Sequence, residues 1–178
     1  KNLDTTFIYV THDQTEAMTL GTKIVVMKDG VMQQVDTPSQ LYDYPVNMFV
    51  AGFIGTPQMN FLEADCIIND GEVKLATRLG IIVPDKGKGD MLLRKGYTGK
   101  KVVVGIRPED LYDDETMLSR FPDATVHTKV EVYEMLGDKC CLYCEKNSEN
   151  LTASVKSDTK ARRGDEIALA MDLSKMHI

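Results

Sequence analysis

The chain has 178 residues, with 21 Lys and Arg against 27 Asp and Glu, so its formal net charge is −6. This length suits one or two small domains and excludes a large multidomain assembly. Aromatic residues make up 7% of the chain. An acidic chain with few aromatic side chains lacks the basic, stacking surface of a nucleic-acid binder, so no nucleic-acid partner is expected.

Two sequence features bear on the cellular compartment. The longest apolar stretch, about Met48 to Gly55, is far shorter than the ~18–20 residues that cross a bilayer, and no leader peptide is expected. Four cysteines are too few for the disulfide framework of a secreted mini-protein, which indicates a reducing cytosol. Cys141 and Cys144 have the spacing of half a metal site, but without a second pair we expect ordinary strand cysteines and no metal.

The first predicted elements form a strand, a polar corner and a helix. Thr6–Val10 is apolar on both faces, which predicts a strand covered on both sides in a parallel sheet. Asp13 to Leu20 predicts a short helix, capped by Thr11 or Asp13 and ended by Gly21.

A hairpin and two helices are predicted next. Asp29-Gly30 separates the strand-like runs Ile24–Met27 and Val31–Val35 and is a strong signal for an antiparallel edge hairpin. The predicted helices begin at Thr37-Pro38 and Asn47 and end before Pro45 and at about Ile54.

Beyond Pro57 the sequence favours short strands separated by turns. Several strands of this kind predict a small β-barrel or sandwich. Two basic, glycine-containing stretches, residues 85–90 and 94–101, are interpreted as solvated loops because neither has the order of a phosphate-binding loop. The candidate strands are Asn60–Ile68, Glu72–Leu75, Lys101–Ile106, Thr125–Leu136, Lys139–Glu145, Leu151–Val155 and Ile167–Met171.

His12 is the main candidate functional residue. It follows the predicted strand Thr6–Val10, and α/β proteins place ligand groups at such carboxyl ends of strands. Its imidazole can donate a hydrogen bond to a phosphate oxygen. The alternative interpretation is a helix-capping corner with an exposed histidine. No phosphate-binding loop, zinc-protease motif or nucleophile elbow is present.

Two segments carry a resemblance to a known family: residues 6–62, which include Thr11-His12-Asp13-Gln14 and Thr37-Pro38, and Gly105–Leu111. They resemble the ATP-binding subunits of bacterial carbohydrate ABC importers, of the maltose and multiple-sugar type. The resemblance implies that residues 1–56 are the α/β end of a RecA-like ABC ATPase domain. It also implies that residues 57–178 are an all-β OB-type (TOBE) barrel domain for dimerisation and regulation.

The resemblance also implies roles and partners. His12 would be the switch histidine, which contacts the γ-phosphate in the intact dimer; ATP and Mg²⁺ would be the cofactors of the intact subunit. The phosphate-binding loop, signature motif and Walker B residues would lie upstream, with Lys1–Asp4 ending a preceding helix and its turn. The chain alone is therefore expected to bind no cofactor and to be inactive. The implied partners are a second ATPase subunit, the permease subunits and regulatory proteins, at the cytoplasmic face of the membrane.

A different class of function is also considered. The segment 57–178 could be a stand-alone OB-type sensor of a small ligand or oxyanion, with Arg107 as the anion-binding residue. Against this, Arg107 could simply tie its loop to Glu109 or another carboxylate. We also expect residues 1–56 to dimerise, rearrange or be poorly ordered in isolation, while residues 57–178 fold on their own.

Overall fold

The computed structural model describes residues 5–178. The chain divides into two compact units, Lys1–Thr56 and Pro57–Ile178. No helix within the described residues has the length and hydropathy needed to cross a membrane. The interpretation of Lys1–Asp4 as the end of a helix concerns residues outside the described range.

The described part of the first unit contains three short helices and one antiparallel hairpin. The hairpin turns at Asp29 and Gly30, whose φ angles of 51° and 77° match the left-handed conformation that a tight two-residue turn requires. The predicted helices and hairpin are confirmed. In order, the elements are α1 (Gln14–Leu20), β1 (Ile24–Lys28), β2 (Val31–Asp36), α2 (Pro38–Asp43) and α3 (Met48–Phe53).

Side-chain caps set the beginnings of α2 and α3. The Thr37 hydroxyl accepts from the Gln40 N–H at 3.4 Å, and Asn47 Oδ1 accepts from the Val50 N–H at 2.9 Å. Each cap satisfies one of the amide groups that a first helical turn leaves without a partner. The unit buries a small core of Val26, Leu41, Val50 and Ile54.

The predicted strand Thr6–Val10 is wrong, since residues 5–13 form no strand. Phe7, Ile8 and Val10 are 76%, 92% and 89% exposed. A buried parallel strand needs neighbours on both edges, and the described part of this unit supplies only a two-stranded hairpin that does not pair with it. The RecA-like assignment of residues 1–56 stays a prediction.

The second unit is built from two antiparallel sheets with two short helices. All seven predicted strands are confirmed within a few residues. The elements are β3 (Asn60–Asn69), β4 (Glu72–Thr77), β5 (Ile81–Ile82), α4 (Lys86–Arg94), β6 (Lys101–Ile106), β7 (Leu111–Tyr112), α5 (Glu115–Arg120), β8 (Thr125–Leu136), β9 (Lys139–Lys146), β10 (Glu149–Lys156) and β11 (Glu166–Met171). One sheet has the order β5-β4-β3-β6 and the other β10-β9-β8-β11-β7.

The two sheets enclose one hydrophobic core and nearly close into a barrel. Alternate residues of β3 point inward, among them Leu62 and Cys66, both fully buried. Where β3 meets β10, the Asn60 side chain takes the place of strand pairing. Its Nδ2 donates to the carbonyls of Thr152 at 2.8 Å and Ile106 at 3.2 Å, and its Oδ1 accepts from the Thr152 N–H at 2.8 Å.

The interpretation of residues 85–90 and 94–101 as solvated loops is wrong for the first stretch, because α4 begins at Lys86. The Asp85 carboxylate accepts from the Lys88 N–H at 2.9 Å and caps this helix. Leu92 is buried and fixes the helix against the core. Lys88 also pairs with Asp85 and donates to the carbonyls of Leu173 and Ser174 at 3.1 Å each, so its charge is not simply solvated.

Candidate functional site

The corner around His12 is held by hydrogen bonds on both sides of the histidine. The Asp13 N–H donates to the Thr11 hydroxyl at 3.0 Å, and Asp13 Oδ1 accepts from the N–H groups of Thr15 at 2.7 Å and Glu16 at 3.2 Å. Asp13 is therefore the N-cap of α1, one of the two predicted caps. The backbone at His12 is fixed while its imidazole is exposed to solvent.

Glu16 strengthens the same corner from the first turn of α1. Its Oε2 accepts from the Thr11 hydroxyl at 2.8 Å and from the Tyr9 hydroxyl at 3.1 Å. The hydrogen bond to Glu16, followed by that residue's negative charge, raises the pKa of Tyr9. The segment before His12 is thus anchored by side chains although it pairs with no strand.

Gln14 connects the corner to the end of this unit, a role that sequence reasoning missed. Its Oε1 accepts from the Gly55 N–H at 2.7 Å, and its Nε2 donates to the Thr56 hydroxyl at 3.1 Å. The two partners of Gln14 lie 41 and 42 positions further along the sequence. No local pattern in the sequence signals so distant a partnership.

The other two histidines lie in the second unit. His127 is exposed on β8, and the backbone of His177 forms an isolated bridge with Gly105. Across residues 5–178, no group of three His, Cys, Asp or Glu side chains is arranged to hold a metal ion.

Arg107 is 3% exposed and precedes a single 3₁₀ turn, Pro108–Asp110. Burial raises the pKa of Asp110 to about 6, and the negative charges of Glu109 and Asp172 add to this, while Lys175 and Arg107 act in the opposite direction. Arg107 thus lies near enough to favour the ionised form of Asp110. This placement supports the interpretation of Arg107 as a residue that ties its loop together.

The cysteines of β9 are buried strand residues, as predicted. Cys140, Cys141 and Cys144 are at most 2% exposed. Burial raises the pKa of Cys144 to about 11 and also raises that of Cys141. The thiolate is the form that binds metals, so these side chains behave as small apolar residues at neutral pH.

Comparisons with known proteins match both parts of the chain. The oligosaccharides import ATP-binding protein MsmX of Bacillus subtilis is 42% identical over 99% of the chain. The chain is homologous to the ATP-binding proteins of carbohydrate ABC importers. A family model described as the MalK OB fold domain matches residues 55–111, which confirms the OB-type β domain.

Two further members of this importer family show the same likeness. The trehalose/maltose import ATP-binding protein MalK of Thermococcus litoralis is 42% identical over the whole chain, and the multiple sugar-binding transport ATP-binding protein MsmK of Streptococcus mutans is 40% identical over 99% of it. The chain covers 47%, 47% and 49% of the three relatives, or about half their length.

These relatives do not favour a stand-alone sensor centred on Arg107. A solved structure of the molybdate-binding protein ModG aligns with 68% of this chain and 94% of its own, at 11% identity and a TM-score of 0.47. That likeness is too low to support an argument. The homology to importer ATP-binding proteins covers nearly the whole chain and includes the segment around His12.

Proposed function

We propose that the chain is the C-terminal part of an ATP-hydrolysing subunit that powers carbohydrate import through an ABC transporter. One observation carries the proposal: 40–42% identity over 99–100% of the chain to three proteins named for the import or transport of sugars and for ATP binding.

In this proposal residues 1–56 end the RecA-like ATPase domain and His12 contacts the γ-phosphate in the dimer of subunits. The exposed imidazole on a fixed backbone supports the role, because a group that must reach a nucleotide has to be both accessible and positioned. In phosphoryl transfer, such positioning and charge stabilisation provide most of the catalysis. His12 would donate a hydrogen bond to a phosphate oxygen.

ATP and Mg²⁺ would be held mainly by other parts of the intact subunit. The described residues contain no three-ligand group of His, Cys, Asp or Glu that fits a metal ion. In this chain, the family resemblance implies that His12 contacts the nucleotide. The chain alone is therefore proposed to be inactive as an ATPase.

Residues 57–178 are proposed to hold two ATPase subunits together and to receive regulatory signals. The match of residues 55–111 to the MalK OB fold domain supports this assignment. The intact subunit would work with permease subunits at the cytoplasmic face of the membrane. The names of its relatives, which combine import with ATP binding, support this location.

The test replaces His12 in the intact subunit and measures ATP hydrolysis and sugar uptake. We expect His12→Ala to lower kcat by about 10²–10³-fold, the usual cost of losing one group that stabilises transition-state charge. His127→Ala is the matched control, because it removes an exposed histidine from β8.

Two outcomes would contradict different parts of the proposal. ATP hydrolysis by His12→Ala within about threefold of the wild type would refute the role of His12. Unchanged uptake of every carbohydrate after deletion of the gene would refute the importer function itself.

A further inference from the structure

A concavity of about 550 Å³ lies on the β domain, lined by Glu131, Val132, Tyr133, Arg162 and Arg163. Its volume is within the usual range of sites for small molecules, ~300–1,000 Å³. The cavity is independent of His12 and of the proposed ATPase role.

An irregularity in β8 lies at this concavity. Val130 pairs with Cys144 and Val132 with Tyr143, so Glu131 is an extra residue in the ladder. Beside it, the pairing of β8 with β11 ends at Lys129. The loop that precedes β11 crosses at this point, where the N–H of Gly164 donates to the Val130 carbonyl at 2.7 Å.

Arg162 is fixed in this loop before any ligand arrives. Its Nη1 donates to the carbonyls of Thr159 at 3.0 Å and Ala161 at 2.7 Å, and its own N–H donates to Asp165 Oδ2 at 2.8 Å. Its guanidinium carbon lies 5.0 Å from the centre of the Tyr133 ring. The Nε and Nη2 groups, with three of the five N–H bonds of the side chain, are left for a ligand.

The side chains that line the concavity carry two positive charges and one negative charge, although the chain as a whole is acidic. Glu131, the acidic residue that lines it, pairs with Lys129 at 2.9 Å. No carboxylate in residues 5–178 forms an ion pair within 4.0 Å of Arg162 or Arg163. Two guanidinium groups therefore face one opening, and a phosphomonoester has the matching charge, close to −2 at pH 7.

We propose that this concavity binds a small organic phosphate, with Arg162 and Arg163 holding the phosphate group. Val132, 45% exposed at its wall, contacts the organic part of the ligand. A rigid fork of N–H donors suits phosphate oxygens better than a flexible ammonium group does. The β domain thereby gains a ligand site of its own.

The test titrates the 178-residue chain with phenyl phosphate, inorganic phosphate and phenol, followed by calorimetry and by amide chemical shifts. We expect phenyl phosphate to bind with a Kd below about 1 mM, inorganic phosphate more weakly and phenol not at all. The shifts are expected at Val132, Tyr133 and Arg163. Binding of phenyl phosphate is expected to weaken as salt rises.

Variants distinguish this site from general attraction of anions. Arg163→Gln, which removes no hydrogen bond given above, is expected to weaken binding of phenyl phosphate at least about fivefold, and Arg162→Gln about tenfold. Arg120→Gln is the matched control, because Arg120 also lies over an aromatic ring, 5.2 Å from the centre of Phe121. The control should bind like the wild type.

Three results would overturn the proposal. One is the absence of shifts around the concavity at about 10 mM phenyl phosphate. Another is an equal loss of affinity in Arg120→Gln and Arg163→Gln. The third is equal affinity for inorganic phosphate and phenyl phosphate, which would remove the organic part of the ligand from the site.

Discussion

Loss of the Asn60 side chain is expected to weaken the β domain. It is 9% exposed and makes two hydrogen bonds of 2.8 Å to Thr152 where β3 meets β10, and a third, of 3.2 Å, to the carbonyl of Ile106 in the neighbouring strand β6. In Asn60→Ala, two carbonyls lose a donor at about 1 kcal/mol each, and the Thr152 N–H is left without its acceptor at about 1–2 kcal/mol. The free energy of unfolding should fall by about 3–4 kcal/mol.

Urea unfolding, followed by circular dichroism, measures this change. For a domain of this size about 1 kcal/mol corresponds to about 4 °C, so Tm should fall by about 12–16 °C. Asn69→Ala is the control, because Asn69 is an exposed asparagine in the same strand. Asn60→Asp keeps the acceptor for Thr152 but points a carboxylate at two carbonyls, so it should be less stable at pH 7 than at pH 4.

A small effect would refute this reasoning. If Asn60→Ala unfolds within about 0.5 kcal/mol of the wild type, the edges of the two sheets are held by packing and not by this amide.

Two further predictions concern pH and proteolysis. Because the pKa of Asp110 is raised from an unfolded value of about 4 to about 6 in the folded state, the folded state binds more protons in this window, so stability should fall as pH rises from about 4 to about 6. Asp110→Asn should remove that dependence and raise the free energy of unfolding at pH 7 by about 1 kcal/mol. A pKa shift of about two units corresponds to about 3 kcal/mol, and the partial exposure of Asp110 reduces this figure. An unchanged pH profile of urea unfolding would contradict this. Chymotrypsin is expected to cut first at Phe7 or Tyr9. Residues 1–56 are expected to self-associate through exposed apolar side chains such as Val25. A chain that resists chymotrypsin and is monomeric by light scattering would contradict this.

Much of the β domain could be predicted because its strands alternate inward and outward along their own sequence. Leu62, Ala64 and Cys66 are buried at alternate positions of β3 for this reason. The strands β5 and β7 have two residues each and are too short to show a period. Helix α4 was missed because its glycines and lysines conceal the signal of its cap, Asp85, and its buried Leu92.

The features that the sequence analysis predicted wrongly or missed share a physical cause: each depends on residues that are distant in the chain. Thr6–Val10 has the composition of a buried strand, but burial requires partners, and the described residues of the first unit do not supply them. The concavity beside Arg162 depends on an extra residue in β8 and on a loop about 30 positions further along the chain. His12 could be proposed because a family resemblance extends across the corner, whereas the bonds of Gln14 to Gly55 could not.

The four buried cysteines also determine how the protein can be labelled. Cys66, Cys140, Cys141 and Cys144 are at most 2% exposed, so maleimides should react with them slowly in the folded state. A single cysteine introduced at exposed Asp138, in the turn between β8 and β9, can then carry a fluorophore without removal of the native thiols. Energy transfer between labelled copies would report directly on whether two β domains associate, and at what distance.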